Sequence, residues 1–93
     1  MSNGTKRKYS YRVHHAYDTQ KAQAGARGIH WQFDIDSWVE WWGDDFDLRG
    51  RRSLDLVMAR HGDEGAYHPD NVYKCTAREN HQTKNRIRYS KLK

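Results

Sequence analysis

Three tryptophans within five residues, Trp38, Trp41 and Trp42, constrain this chain more than any other feature. A packed tryptophan ring buries roughly 150 to 250 Å². The chain has 93 residues, of which 35% are apolar, so few other large side chains are available. A domain of this size buries only about 60 to 65% of its unfolded surface, and each ring therefore contributes a large share of its stability. We expect one small domain with an aromatic core.

The tryptophans belong to a segment whose spacing predicts a helix. Four apolar residues share one helical face: Ile35, Trp38, Val39 and Trp42. Asp34 is the expected N-cap, and Gly43 is expected to end the helix. Trp41 points away from this face, which leaves two interpretations open: a core residue, or a platform on which a nucleic-acid base stacks.

Apolar spacing and turn residues predict the other elements. In chain order they are a helix over 10–25, a strand over 29–33, an exposed loop over 43–53, a strand over 54–59, a turn over 62–70, a strand over 72–76 and a helix over 77–86. Thr76 is expected to cap the last helix, with Glu79 completing a capping box. The fold class is α+β: a single domain over 9–88, with a ββα unit in its C-terminal half and the Trp-rich helix packed against it. Residues 1–8 are expected to be a disordered basic arm, and 89–93 a basic tail.

Charge is distributed unevenly along the chain. The net charge is +5, yet residues 31–56 hold seven acidic residues against three arginines. Lysines and arginines concentrate in residues 1–30 and 77–93, and basic ends of this kind are typical of proteins that bind a polyanion. The residues assigned to DNA contact are Lys6, Arg7, Lys8, Arg78, Lys84, Arg86 and Arg88. The other interpretation, solvated tails that keep the chain soluble, stays open.

Cysteine content and hydropathy exclude several classes of protein. Cys75 is the only cysteine, so neither an internal disulfide nor a CxxC pair can form, and no structural zinc is expected. No run of eighteen apolar residues occurs, so we expect no membrane partner. The N-terminus has no apolar run typical of a secretory leader. We therefore expect an intracellular protein.

One stretch resembles a known family. In "DNVYKCTAREN", residues 70–80, a loop ends in Asp-Asn, an apolar strand follows, and Thr precedes the start of a helix. This order resembles the second half of the HNH endonuclease motif. Residues 26–86 resemble small phage proteins related to that family, in which an Arg-Gly-Ile turn, a Trp-rich helix and a Gly-x-Tyr-x-Pro-x-Asn loop recur in this order. The matching positions are Gly65, Tyr67, Pro69, Asn71, Thr76 and Asn80.

The resemblance implies catalytic roles for three residues. Asn71 would hold the loop and so orient a general base. The base would be His61, whose ordinary pKa suits the acceptance of a proton from water. In another register Arg60 occupies the base position. The family has an aspartate before that position, and here the residue is Arg60 in the first register and Ala59 in the second.

The resemblance also implies a divalent metal, Mg²⁺ or Mn²⁺, bound between the loop and the helix. Asp63 and His81 are the candidate metal ligands. The position expected for the last ligand falls on Thr83 or Lys84, and neither is a good ligand for a hard cation.

Two functions follow from this sequence. The first is a DNA-binding HNH-like protein that acts on double-stranded DNA as a metal-dependent endonuclease or a nickase of the homing type. The second is a catalytically inactive phage-type accessory protein that binds DNA or inhibits a host protein. In both cases we expect it to act in the cytoplasm of the host cell.

Overall fold

The computed structural model describes residues 8–91. In this part of the chain, three helices and a two-stranded antiparallel sheet form one α+β domain, as predicted. The elements are α1 (Tyr11–Ala26), α2 (Ile35–Trp42), β1 (Leu56–Arg60), β2 (Val72–Thr76) and α3 (Ala77–Lys91). Three short 3-10 helices connect them: Gly43–Leu48, His61–Asp63 and Pro69–Asn71.

The core is the aromatic cluster that the sequence predicts. Trp38 and Trp42 are 0% and 1% exposed. The ring of Trp38 packs edge-on against Tyr17 and Phe46, with centroid distances of 5.6 and 5.9 Å. Its indole nitrogen donates to Gln20 Oε1 at 2.9 Å, so the one polar atom of this buried ring has a partner. These contacts fasten α1 to α2.

The start of α2 follows the predicted capping chemistry. Asp34 Oδ1 accepts from the Ser37 amide at 2.8 Å, and the Asp34 amide donates to Ser37 Oγ at 3.1 Å. Trp41 is half-buried, and its ring contacts Trp42 and Phe33 at centroid distances of 4.8 and 6.5 Å. The geometry therefore favours the core interpretation of Trp41.

The two strands pair in a single register, with Met58 opposite Lys74 and Arg60 opposite Val72. β2 has the predicted bounds, whereas β1 begins two residues later than predicted and includes Arg60. The reason is a tight turn before β1, in which Asp55 Oδ2 accepts from the Arg52 amide at 2.9 Å. The Asp55 carbonyl accepts from the Ala77 amide at 2.9 Å, but residue 55 lies outside the strand.

Two other predicted elements are wrong. Residues 29–33 do not form a strand: only Trp31 forms a bridge, to Tyr67. The facing segment is interrupted by Gly65, which has φ +81°, and by the 3-10 helix Pro69–Asn71. Residues 43–53 are not all loop, since Gly43–Leu48 is a 3-10 helix whose Phe46 ring packs on Trp38. The half-buried Phe46 ring packs against the core despite the acidic residues around it.

The last helix is longer than predicted. It begins after Thr76 as expected, where the Thr76 amide donates to Glu79 Oε1 at 2.8 Å and the Glu79 amide donates to Thr76 Oγ1 at 3.1 Å. It continues to Lys91 rather than ending near Arg86. No glycine or proline interrupts it. The predicted basic tail over 89–93 is therefore helical as far as Lys91, and residues 92 and 93 lie outside the described range.

Candidate nucleic-acid interface

The loop between β1 and β2 is held by the side chain of Asn71. Its Nδ2 donates to the carbonyls of Glu64 and Ala66, at 2.9 and 2.8 Å. Gly65, between those two residues, has φ +81°, which L side chains rarely adopt. A Cβ at position 65 would lie 2.9 Å from Asn71 Nδ2. The hydrogen bonds of the Asn71 amide therefore require a residue without a Cβ at position 65.

Arg60 supports the same loop from the end of β1. Its side chain is only 10% exposed and lies over the Tyr67 ring, 5.5 Å from the centroid. Nη1 donates to the Gly65 carbonyl at 2.7 Å, and Nη2 lies 3.4 Å from Asp63 Oδ1. Asp63 itself has φ +56°, a conformation that costs energy in a residue with a Cβ. The guanidinium thus contacts two loop residues that have positive φ, Asp63 and Gly65.

The proposed base and one candidate metal ligand, His61 and Asp63, lie in this loop, whereas the other candidate ligand lies on α3. His61 is exposed, and its ring stacks on Tyr73 of β2 at a centroid distance of 5.0 Å. The segment His61–Asp63 contacts α3, so loop and helix face each other. His81 is exposed on α3. Within residues 8–91 no group of three or more His, Cys, Asp or Glu side chains is arranged to hold a metal ion.

A divalent cation does not fit Asp63 as the loop stands. The carboxylate already faces the Arg60 guanidinium, and a cation there would have to compete with that positive charge. Ala59, the residue before Arg60, is 3% exposed and has no donor atom in its side chain. The roles of Asp63 and His81 as metal ligands stay predictions.

The predicted DNA-binding residues of α3 do not all share one face. His81, Lys84 and Arg88 recur at spacings of three and four residues and lie along one side of the helix. At about 100° per residue, Arg86 lies roughly 160° around the axis from Lys84, and Arg78 roughly 120°. No acidic residue follows Glu79 in the chain. The face that contains Lys84 and Arg88 is therefore the better candidate for contact with phosphates.

The predicted N-terminal contacts are only partly described. Lys6 and Arg7 lie outside the described residues. Lys8 is described: its Nζ lies 3.2 Å from Asp36 Oδ1, which also accepts from the Tyr9 hydroxyl at 2.6 Å. The hydrogen bond with Asp36 raises the pKa of Lys8. Because the pair is exposed, it stabilises the fold little and leaves Lys8 accessible to a ligand.

Arg49 is a cation whose role the sequence does not predict. Its guanidinium lies over the rings of Trp38, Trp42 and Phe46, at 4.9, 5.2 and 5.3 Å from their centroids. Its Nε is buried without a hydrogen-bond acceptor among the described residues. Burial is the main cause that lowers its pKa, and repulsion from Arg12 adds to it. The only sequence signal was an arginine close after the aromatic run, which is too weak to identify a site.

Comparison with protein-family models, curated proteins and solved structures found no match for this chain. The resemblance to HNH proteins therefore depends on the motif residues alone. None of the helices within residues 8–91 is both long and apolar enough to span a membrane.

Proposed function

We propose that this protein binds double-stranded DNA through an HNH-like ββα unit made of β1, β2 and α3. One arrangement carries the proposal. The Asn71 amide holds the loop between the strands, and the helix that faces this loop is basic, because no aspartate or glutamate follows Glu79 in the sequence. A loop held by these hydrogen bonds, beside a basic helix, offers backbone donors and positive charge to a phosphate chain. Phosphate contacts of this kind position a protein on a duplex.

Binding without cleavage is the form of this function that the geometry favours. The Arg60 guanidinium pairs with Asp63, and Arg60 also donates to the loop backbone. Both side chains thus stabilise the loop, and the position before Arg60 has only the methyl group of Ala59. The second candidate is an endonuclease in which exposed His61, stacked on Tyr73, takes a proton from water.

Fluorescence anisotropy with a labelled 16-base-pair duplex tests DNA binding. The variant Lys84→Gln/Arg88→Gln removes two charges from the proposed face. Arg78→Gln/Arg86→Gln removes the same charge from other sides of α3 and is the matched control. Since each phosphate contact adds about 0.9 to the slope of log affinity against log salt, the first variant should lower that slope by about 1.8. Equal effects of the two variants would contradict a binding surface on this face.

A plasmid-nicking assay separates the two forms of the function. The chain is incubated with supercoiled plasmid and with Mg²⁺ or Mn²⁺ across the millimolar range. We expect DNA to be bound and to stay supercoiled. Cleavage that requires the metal and disappears in His61→Ala, with affinity retained, would establish the endonuclease instead.

A further inference from the structure

A groove of about 640 Å³ lies on the α1 side of the hairpin, away from the residues of the predicted catalytic set. It is lined by α1, by residues 49–51, by β1 and by α3. Residues 49–51 are held beside β1, where the Gly50 amide donates to the Leu56 carbonyl at 3.2 Å. Trp42 and Met58, both buried, contribute apolar surface to it.

Among the lysine, arginine, aspartate and glutamate residues of the described chain, only lysine and arginine line the groove. These side chains come from three parts of the fold, namely the end of α1, the segment 49–51 and α3: Arg27, Arg49, Arg51 and Lys84. Among the described lining residues there is no aspartate or glutamate. Like charges that converge on a concave, partly apolar surface strengthen the local potential and attract anions.

The carboxylates of the neighbouring loop are engaged elsewhere. Asp47 Oδ1 pairs with Arg12 Nη1 at 2.8 Å. Asp55 accepts the Arg52 amide. Neither lines the groove. The repulsion among the lining cations is therefore not relieved by an acidic side chain within the groove.

The aromatic contacts of Arg49 do not account for the whole arrangement. The face of a guanidinium can stack on rings while its edge donates to oxygen atoms. Arg49 stacks on three rings and makes no side-chain hydrogen bond or ion pair with another described residue. Packing on the tryptophans explains its position but leaves the donors at its edge for an oxygen ligand. It also gives no reason for three further cations in the same groove.

We propose that this groove binds the phosphodiester backbone of a DNA strand, with Arg49 as the fixed donor and Arg27, Arg51 and Lys84 as the surrounding cations. Guanidinium groups match the geometry of phosphate oxygens and can donate to two of them. Lys84 lies both in the groove and on the proposed face of α3, so the two surfaces are continuous. This inference rests on the proposed DNA-binding function and extends its contact surface to α1.

The test uses two charge-matched double variants of the full chain. Arg27→Gln/Arg51→Gln removes two exposed cations from the groove. Lys21→Gln/Arg52→Gln removes two exposed cations from α1, which Arg27 follows, and from the loop that contains Arg51; neither lines the groove. All four positions are exposed, and equal melting temperatures would verify that both variants fold. Affinity for the labelled duplex is measured by anisotropy between 50 and 300 mM KCl, ranges of about this size being where salt dependence is resolved.

The groove variant should bind DNA about tenfold or more weakly at 100 mM salt, and its salt slope should fall by about 1.8, whereas the control should change by less than about threefold. Equal losses in the two variants, with the Lys84→Gln/Arg88→Gln effect intact, would overturn the groove and leave the proposed function standing. If the wild-type chain binds no duplex at low salt, the proposed function fails first. Inorganic pyrophosphate is titrated as a second probe. If pyrophosphate binds the wild-type chain, and the groove variant no longer binds pyrophosphate but keeps its affinity for DNA, the groove is a site for free phosphates. The proposal that it binds a DNA strand is then wrong.

Discussion

The loop that joins the two strands allows a sharp test of its stabilising contacts. Asn71→Ala removes two hydrogen bonds to backbone carbonyls, at 2.9 and 2.8 Å. A net contribution of about 0.5 to 1.5 kcal/mol for each gives an expected loss of roughly 1 to 3 kcal/mol in the free energy of unfolding. Alanine leaves both carbonyls without this donor.

Gly65→Ala should destabilise the fold in two ways. A non-glycine residue in the left-handed region costs about 1 to 2 kcal/mol. The new Cβ would also lie 2.9 Å from Asn71 Nδ2 and push the amide away from its acceptors. In the Asn71→Ala background the second effect has no target. The double variant should therefore be more stable than the sum of the single changes predicts, by about 1 kcal/mol.

Gly62→Ala is the matched control. Gly62 also has positive φ, +68°, but the nearest atom to its Cβ would be Glu64 Cγ at 3.6 Å, an ordinary contact. Its effect should add to that of Asn71→Ala within about 0.3 to 0.5 kcal/mol. Urea unfolding followed by tryptophan fluorescence gives all the values. The reasoning is refuted if the effects of Gly65→Ala and Asn71→Ala on the free energy of unfolding also add. It is refuted as well if Asn71→Ala lowers that free energy by less than about 0.5 kcal/mol.

Three further predictions concern the core, the last helix and the site. Gln20→Ala should cost about 1 to 2 kcal/mol in urea unfolding, because the buried Trp38 indole N–H loses its acceptor; an unchanged midpoint would contradict that contact. Hydrogen bonds from the backbone and hydroxyl of Thr76 lower the pKa of Glu79 in the folded protein. The carboxylate therefore stabilises the fold at pH values above its unfolded pKa. This contribution is lost as the pH falls through the lower, folded pKa. The melting temperature of Glu79→Gln should therefore lie below that of the wild type at pH 7, with the gap closing in acid, and a pH-independent gap would argue against the linkage. His61→Ala should leave DNA affinity within about twofold, since surface changes outside contacts have small effects; a large loss in anisotropy would place His61 in the binding surface.

Local signals predicted the elements whose boundaries are set by local chemistry. Asp34 and Thr76 accept hydrogen bonds from the first turns of their helices, and each cap forms as expected. The Trp-rich face of α2 is buried because its spacing leaves two large rings on one side. These features depend on residues no more than a few positions apart, which is why sequence alone predicts them.

The features that sequence did not predict depend on contacts between distant segments. Trp31 pairs only with Tyr67, so a pattern typical of a strand gives a single bridge. The acidic segment around Phe46 forms a 3-10 helix, and the Phe46 ring packs on Trp38 of α2. Arg49 enters the groove for the same reason: its position is set by the tryptophans of another element.

The candidate site was predicted in its loop and less well in its charges. The motif placed Asn71 in the loop, where its amide bonds to two carbonyls. The sequence does not predict the contact between Arg60 and Asp63, because it depends on a loop in which Gly62 and Gly65 have positive φ. The position of Arg86 on another side of α3 from Lys84 follows from residue spacing once the helix is predicted, and a count of basic residues alone does not give it.

The claim that β1, β2 and α3 form a DNA-binding unit is tested most directly by a titration of ¹⁵N-labelled protein with the 16-base-pair duplex at low salt. We predict that amide shifts will be largest around Lys84 and Arg88 on α3 and around Arg49, with smaller shifts in His61–Asp63, which contacts α3. Shifts confined to the acidic segment after α2, or no shifts with excess duplex, would contradict it.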